Sequence, residues 1–131
     1  MRVAIELQLL AVAVLIGLVH LVWASAAAQP QRGLKWNVGP RETPVVLTGM
    51  AGRLGRASAN FRETFPLFAA AVLAVYLAGR IGSLSAHGAL VYVVARGIYL
   101  PLYAFGFPVA RSLVWVASMI GLGMVLAAMV V

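Results

Sequence analysis

From Val3 to Ala27 the only strongly polar side chains are Glu6, Gln8 and His20. An apolar run of that length is a helix long enough for a bilayer core, which needs about 20 residues. It exceeds the apolar region of a cleaved targeting peptide, and three more apolar segments follow it, so a retained first span is expected. At 63% hydrophobic residues and a mean hydropathy of +1.00, the chain lies far from soluble globular composition. The expectation is an all-α, integral membrane four-helix bundle, one domain over residues 1–131, with spans at 3–27, 45–79, 89–105 and 111–131. Residues 29–44, broken by Pro30, Gly33, Gly39-Pro40 and Pro44, are expected to form a loop without secondary structure. Trp36 beside Lys35 fits an interfacial anchor there.

Ten basic residues against three acids give a net charge of +7. The basic residues are dispersed, mostly at segment edges, which argues against a nucleic-acid surface. No cysteine is present, excluding disulfides and thiolate metal sites, and two separated histidines with three separated acids argue against any metal site. Arg32, Lys35, Arg41, Arg53, Arg56 and Arg111 gather on one side of the expected bundle, against Arg2 and Arg80 on the other. The positive-inside rule then places the first and third loops in the cytoplasm and both termini outside. His87 reads as a solvated residue of the second loop.

The polar side chains inside the spans form a pattern. On a helix, Arg53, Arg56, Asn60 and Glu63 fall within an arc of roughly 80°, while Arg62 points the opposite way. Arg96 stands in the third span with Tyr92, Tyr99 and Tyr103 in one stripe beside it, and Pro101 frees the carbonyl of Gly97. Arg111 opens the fourth span, with Trp115 and Ser118 on its side. A charge at helix centre is costly and normally faces a partner or water. Glu63 is one structural partner for Arg96, yet the arginines outnumber the acids. Guanidinium groups in surplus suit a small anion held by its oxygens, with an apolar partner arriving from lipid. Where chemistry occurs, the simplest form is activation of a bound thiol, its thiolate favoured by an arginine or a tyrosine. Glu6 reads as an interfacial acid or an intersubunit contact, and His20 as a hydrogen-bonded structural residue.

The segment Arg53-x-x-Arg56-Ala-x-x-Asn60-x-x-Glu63-x-x-Pro66-x-Phe68 resembles the signature of the membrane-associated proteins in eicosanoid and glutathione metabolism. That family contains the microsomal glutathione transferases, leukotriene-C synthase and microsomal prostaglandin E synthase. The pattern Ala95-Arg96-x-x-Tyr99-x-x-x-Tyr103-x-x-Gly106-x-Pro108-x-x-Arg111-Ser112 resembles its third and fourth helices. The resemblance spans nearly the whole chain and looks closest to bacterial-type members, which implies an inner-membrane protein. It implies a homotrimer binding glutathione as co-substrate between neighbouring subunits near the cytoplasmic face. Arg53, Arg56, Asn60, Glu63, Arg96, Tyr99 and Tyr103 would bind or support glutathione. Arg111 matches the arginine that stabilises the thiolate, and Arg32 or Lys35 stands for a basic residue from the end of the first helix. Ala59 departs from the pattern, since prostaglandin-synthase-like members carry a basic residue there.

The function implied is a membrane-bound glutathione-dependent transferase or peroxidase acting on hydrophobic electrophiles or lipid hydroperoxides. Its partners would be membrane lipids, a hydrophobic small molecule and further copies of itself. The alternative is a non-catalytic protein of the same fold that binds an anionic lipid or a partner protein. A small transporter is disfavoured because the chain has no inverted repeat.

Overall fold

A computed structural model describes residues 2–131. Five helices follow in order: α1 (Ile5–Arg32), α2 (Leu34–Val38), α3 (Gly49–Leu77), α4 (Ser83–Ala104) and α5 (Pro108–Ala127). The four long helices alternate in direction. Ser85 at the start of α4 meets Glu6 at the start of α1, and Arg53 at the start of α3 meets Ala104 at the end of α4. α1 and α5 are each long and apolar enough to cross a bilayer. The charges of α3, Arg53, Arg56, Arg62 and Glu63, set it apart from them.

Several boundaries differ from the sequence expectation. α1 continues to Arg32, through Pro30, and stops where Gly33 takes a left-handed φ of 82°. Residues 29–44 are therefore not a bare loop. Gln31 both donates to the Thr48 carbonyl and accepts from the Thr48 amide, tying the end of α1 to the start of α3. Asn37 of α2 bonds Gln29, and the Trp36 indole donates to the Thr43 carbonyl while Arg32 and Arg41 lie over its ring. Side-chain bonds thus replace what the prolines remove, and Trp36 is an organising centre as well as a surface aromatic. α3 begins at Gly49, four residues later than expected, and runs unbroken through Pro66. α4 begins at Ser83, where the Ser85 hydroxyl accepts from the Gly82 amide, so His87 lies in its second turn, bonded to Ser83. α5 spans 108–127 rather than 111–131, with Pro108 in its first turn, where a missing amide costs nothing.

Two apolar clusters form the core. One, toward the chain termini, joins Leu9, Phe68, Val72, Tyr92, Leu122 and Val125 and their neighbours. The other, toward the opposite end, joins Leu54, Ala57, Tyr99, Leu100, Tyr103 and Ala104. Close approach of α4 and α5 makes the first possible. A Cβ on Gly121 would stand 2.6 Å from the Tyr92 nitrogen, and one on Gly88 would stand 2.7 Å from the Gly121 carbonyl oxygen. Gly121 makes a close small-residue contact between helices, whereas Gly123 faces open space. Between the clusters runs a buried polar layer of His20, Ser58, Thr64, Arg96 and Ser118. Outward-facing leucines, valines and isoleucines on α1 and α5 leave the exterior apolar, as a bilayer solvent requires.

Candidate functional site

Arg96 anchors the site because it is completely buried in the middle of the fold. Its Nη1 donates to the Asn60 side-chain oxygen at 2.9 Å, and its guanidinium lies 4.2 Å from the Tyr99 ring centre and 5.4 Å from that of Phe61. The sequence offered Glu63 as its partner; the structure gives Asn60 instead. Helical geometry explains the exchange, since Asn60 sits one turn before Glu63 on the inner edge of α3, and Glu63 is exposed. Contacts with aromatic faces contribute about 0.5 to 2 kcal/mol, which does not match the cost of burying a charge. The Nε and Nη2 groups of Arg96 have no protein partner. The buried cation is therefore uncompensated by any carboxylate in its contact shell.

One consequence is the orientation of Asn60. Because its carbonyl oxygen accepts from Arg96, its amide nitrogen is left as a donor. Asn60 lines a cavity of about 430 Å³ together with Tyr99, Tyr103, Arg111, Ser112 and Trp115. Tyr99 and Tyr103 meet edge to face at 5.5 Å, and the Arg111 guanidinium lies 4.1 Å from the Tyr103 ring centre. A file of Arg96, Tyr99, Tyr103 and Arg111 results, rising along α4 and crossing to α5. The i to i+4 spacing of Tyr99 and Tyr103 on one face of α4 makes this possible. Tyr92, the third member of the expected stripe, lies elsewhere. It bonds Thr64 at 3.0 Å and stacks on Phe68 at 4.0 Å within the core.

Arg111 also lines a second cavity of about 290 Å³, with Arg53, Arg56, Gly106 and Pro108. The two spaces adjoin at Arg111. Arg53 has a structural share in this end, its Nε donating to the Ala104 carbonyl at 2.9 Å and so capping α4. No carboxylate lines either cavity, and three guanidinium groups, two phenols, a hydroxyl and an amide do. Such a set receives anionic oxygen or sulfur.

Not every expected residue joins it. Glu63 lies one turn beyond Asn60 and lines neither cavity. Arg32 lies on the other side of the subunit, in a groove of about 220 Å³ between α1 and α3 with Ser25, Ser58 and Arg62. Lys35 is exposed on α2. Phe61, which no motif marked, lies between His20 and Arg96, its ring 4.9 Å from the imidazole. His20 is buried with both ring nitrogens unpartnered, in place of the hydrogen bond expected for it. Glu6 accepts the Ser85 hydroxyl within the same chain and is buried.

The model of the MAPEG family matches residues 9–131. The chain belongs to the MAPEG family. The match takes in α1 from Leu9 onward and every residue of both cavities, so the arginine, tyrosine and asparagine cluster lies wholly inside the family's domain. No individual curated protein matches the chain. MAPEG membership joins this protein to glutathione-dependent lipid metabolism at the level of the family, and agrees with its all-α, membrane-integral build. Among the described residues, no group of three or more histidines, cysteines or acids stands close enough to hold a metal.

Proposed function

We propose that this MAPEG protein is a membrane-bound glutathione-dependent transferase or peroxidase acting on hydrophobic electrophiles or lipid hydroperoxides. The observation that carries the reading is Arg111. It is shared by two adjoining cavities that contain cations and donors but no acid. Their combined size suits a tripeptide, since small-molecule sites run from about 300 to 1,000 Å³. In this reading Arg53 and Arg56 hold the carboxylates of glutathione, and the Asn60 amide, kept in register by Arg96, donates to it. Tyr99 and Tyr103 form the aromatic wall beside the peptide. Arg111 faces the sulfur and favours its thiolate, releasing the thiol proton to water. The thiolate lone pair then attacks an electrophilic carbon of a substrate that enters from lipid, and the leaving group departs with the displaced electron pair. With a lipid hydroperoxide it attacks the distal oxygen, the O–O bond breaks, and the lipid alkoxide takes a proton from water to leave as the alcohol. The sulfur is oxidised to the sulfenic acid as the peroxide is reduced.

The same reading includes four bilayer crossings, cytoplasmic first and third loops, and a homotrimer. In that trimer Arg32, which faces away from the cavities of its own subunit, reaches glutathione in the next one. Glutathione titration of the detergent-solubilised protein, followed by ultraviolet thiolate absorbance, tests it. Saturable binding with a thiolate signal is expected, and Arg111→Ala should abolish the signal. Retention of both binding and signal in Arg111→Ala sinks the role given to Arg111. Absence of glutathione binding at millimolar concentration, with phospholipid retained, would favour the non-catalytic alternative.

A further inference from the structure

α1, apolar and long enough to cross the bilayer, stops at Arg32, so the residues that follow stand where hydrocarbon gives way to headgroups. Segment 33–47 leaves from that level and comes back to it, because Gln31 bonds Thr48 through both a donor and an acceptor. The segment is a flap held at the membrane boundary. Three large aliphatic side chains on it, Leu34, Val38 and Val46, are exposed by 68%, 76% and 85%. Leu34 and Val38 are four residues apart and share a face of α2. An exposed aliphatic face beside cations at this depth is the pattern of a helix lying in the interface, its apolar side against acyl chains.

The cations of the flap are arranged, not scattered. Arg32 and Arg41 hold their guanidiniums 5.0 and 5.6 Å from the centre of the Trp36 ring. Among the described residues, neither is paired with a carboxylate. Glu42, the one acid of the flap, is exposed. Arg41 is kept there against backbone preference: among the described residues it alone, glycine aside, has a positive φ, 58°. Such strain persists where the surroundings impose it, as in ligand clamps. The Arg41 Nε donates to the Asn37 carbonyl at 3.0 Å, which fixes the guanidinium and leaves both Nη groups as donors. Trp36 is fixed in turn by its indole bond to the Thr43 carbonyl, and Lys35 adds an exposed cation beside it.

Cations at headgroup level next to aliphatic side chains complement an anionic phospholipid, whose phosphate sits just outside its acyl chains. We propose that the flap binds one, with the Arg41 Nη groups forked on the phosphate oxygens, Lys35 adding charge, and Leu34 and Val38 against the acyl chains. The planar guanidinium matches two phosphate oxygens at once. Trp36 supplies the platform at the level where indole rings favour the interface. The chain then selects anionic over zwitterionic lipid at this end. Neither Arg41 nor Lys35 lines the Arg111 cavities, so the inference does not rest on glutathione filling them.

Native mass spectrometry in neutral detergent, without glutathione, tests the site with dioleoyl phosphatidylglycerol or dioleoyl phosphatidylcholine added. Wild-type protein should hold the glycerol lipid at least about 5-fold more tightly. Arg41→Asn removes the fork but keeps a residue that tolerates positive φ, and Lys35→Gln removes the second charge. Each should weaken the glycerol lipid about 5-fold, the effect of one cation near an anionic surface, and leave the choline lipid unchanged. Equal affinity for the two lipids, or full retention in both variants, overturns the site. Displacement of the lipid by inorganic phosphate at millimolar concentration also overturns it, since phosphate alone would then be the ligand. A second measurement locates the lipid. With Trp23→Phe and Trp115→Phe, Trp36 is the only tryptophan, and brominated phosphatidylglycerol should quench its emission more than the brominated choline lipid. Equal quenching overturns the placement. Glutathione titration of Arg41→Asn should match wild type, and a parallel loss of lipid and glutathione overturns a separate lipid site.

Discussion

The two ends of this bundle treat polar side chains in opposite ways. Toward the termini, Glu6 is buried against Ser85, Ser85 also accepts from the Gly82 amide, and Gly88 and Gly121 let α4 and α5 touch backbone to backbone. Toward the other end, Arg53, Arg56 and Arg111 surround open space, and below them Arg96 keeps two donor groups without a protein partner. A polar group satisfied inside its own subunit serves the fold. One left unsatisfied at comparable burial costs about 1 to 3 kcal/mol, and Arg96 bears that cost beside the cavity proposed to bind an anion.

That contrast breaks most visibly at the helix crossing. Gly121→Leu forces α4 and α5 apart, since even a Cβ has 2.6 Å to the Tyr92 nitrogen. Destabilisation of about 3 kcal/mol or more, or no folded protein, is expected in thermal melts in detergent. Gly123→Ala, which meets nothing within 4 Å, should stay within about 0.5 kcal/mol of wild type.

Arg111→Ala comes next and should act on binding. A loss of about 2 to 4 kcal/mol of thiolate stabilisation, with melting little changed, is expected from parallel glutathione and thermal titrations. Equal losses in both measurements would make Arg111 a structural residue.

Arg96→Met sharpens the comparison from within. Replacing a buried cation with an apolar side chain of similar length should leave stability unchanged or raise it by about 1 to 2 kcal/mol. Anion affinity should fall about 10-fold, because Asn60 loses the contact that orients its amide. A large fall in melting temperature would assign Arg96 to the fold.

The smallest effect belongs to the far end. Glu6→Gln keeps the shape but weakens the acceptor for Ser85, with about 1 kcal/mol of lost stability and no change in glutathione affinity. A change in affinity would mean that the two ends are coupled.

Much of the lining of the two cavities was legible before the structure. Arg53, Arg56 and Asn60 share an arc on any helix, and Tyr99 and Tyr103 share a face at i and i+4, so local periodicity alone places them. The helix boundaries were less legible. Pro30 read as a breaker, yet the structure carries it inside α1, where the tertiary bonds of Gln31 to Thr48 hold the end of the helix. Glu63 and Tyr92 belong by spacing to the polar stripes, but the first faces outward and the second turns into the core against Phe68.

By itself, then, the sequence determined that the chain is helical and apolar enough for a bilayer, with an excess of arginine at one end. Those properties follow from composition and a period of about 3.6 residues, which need no knowledge of neighbours. Only the tertiary structure decided that Arg96 binds Asn60 and not Glu63, that Arg111 joins two cavities, and that Glu6 is matched by Ser85. The reason is that pairing depends on the rotation and depth of each helix against the next. Those are set by packing at places such as Gly88 and Gly121, far from the charges they align.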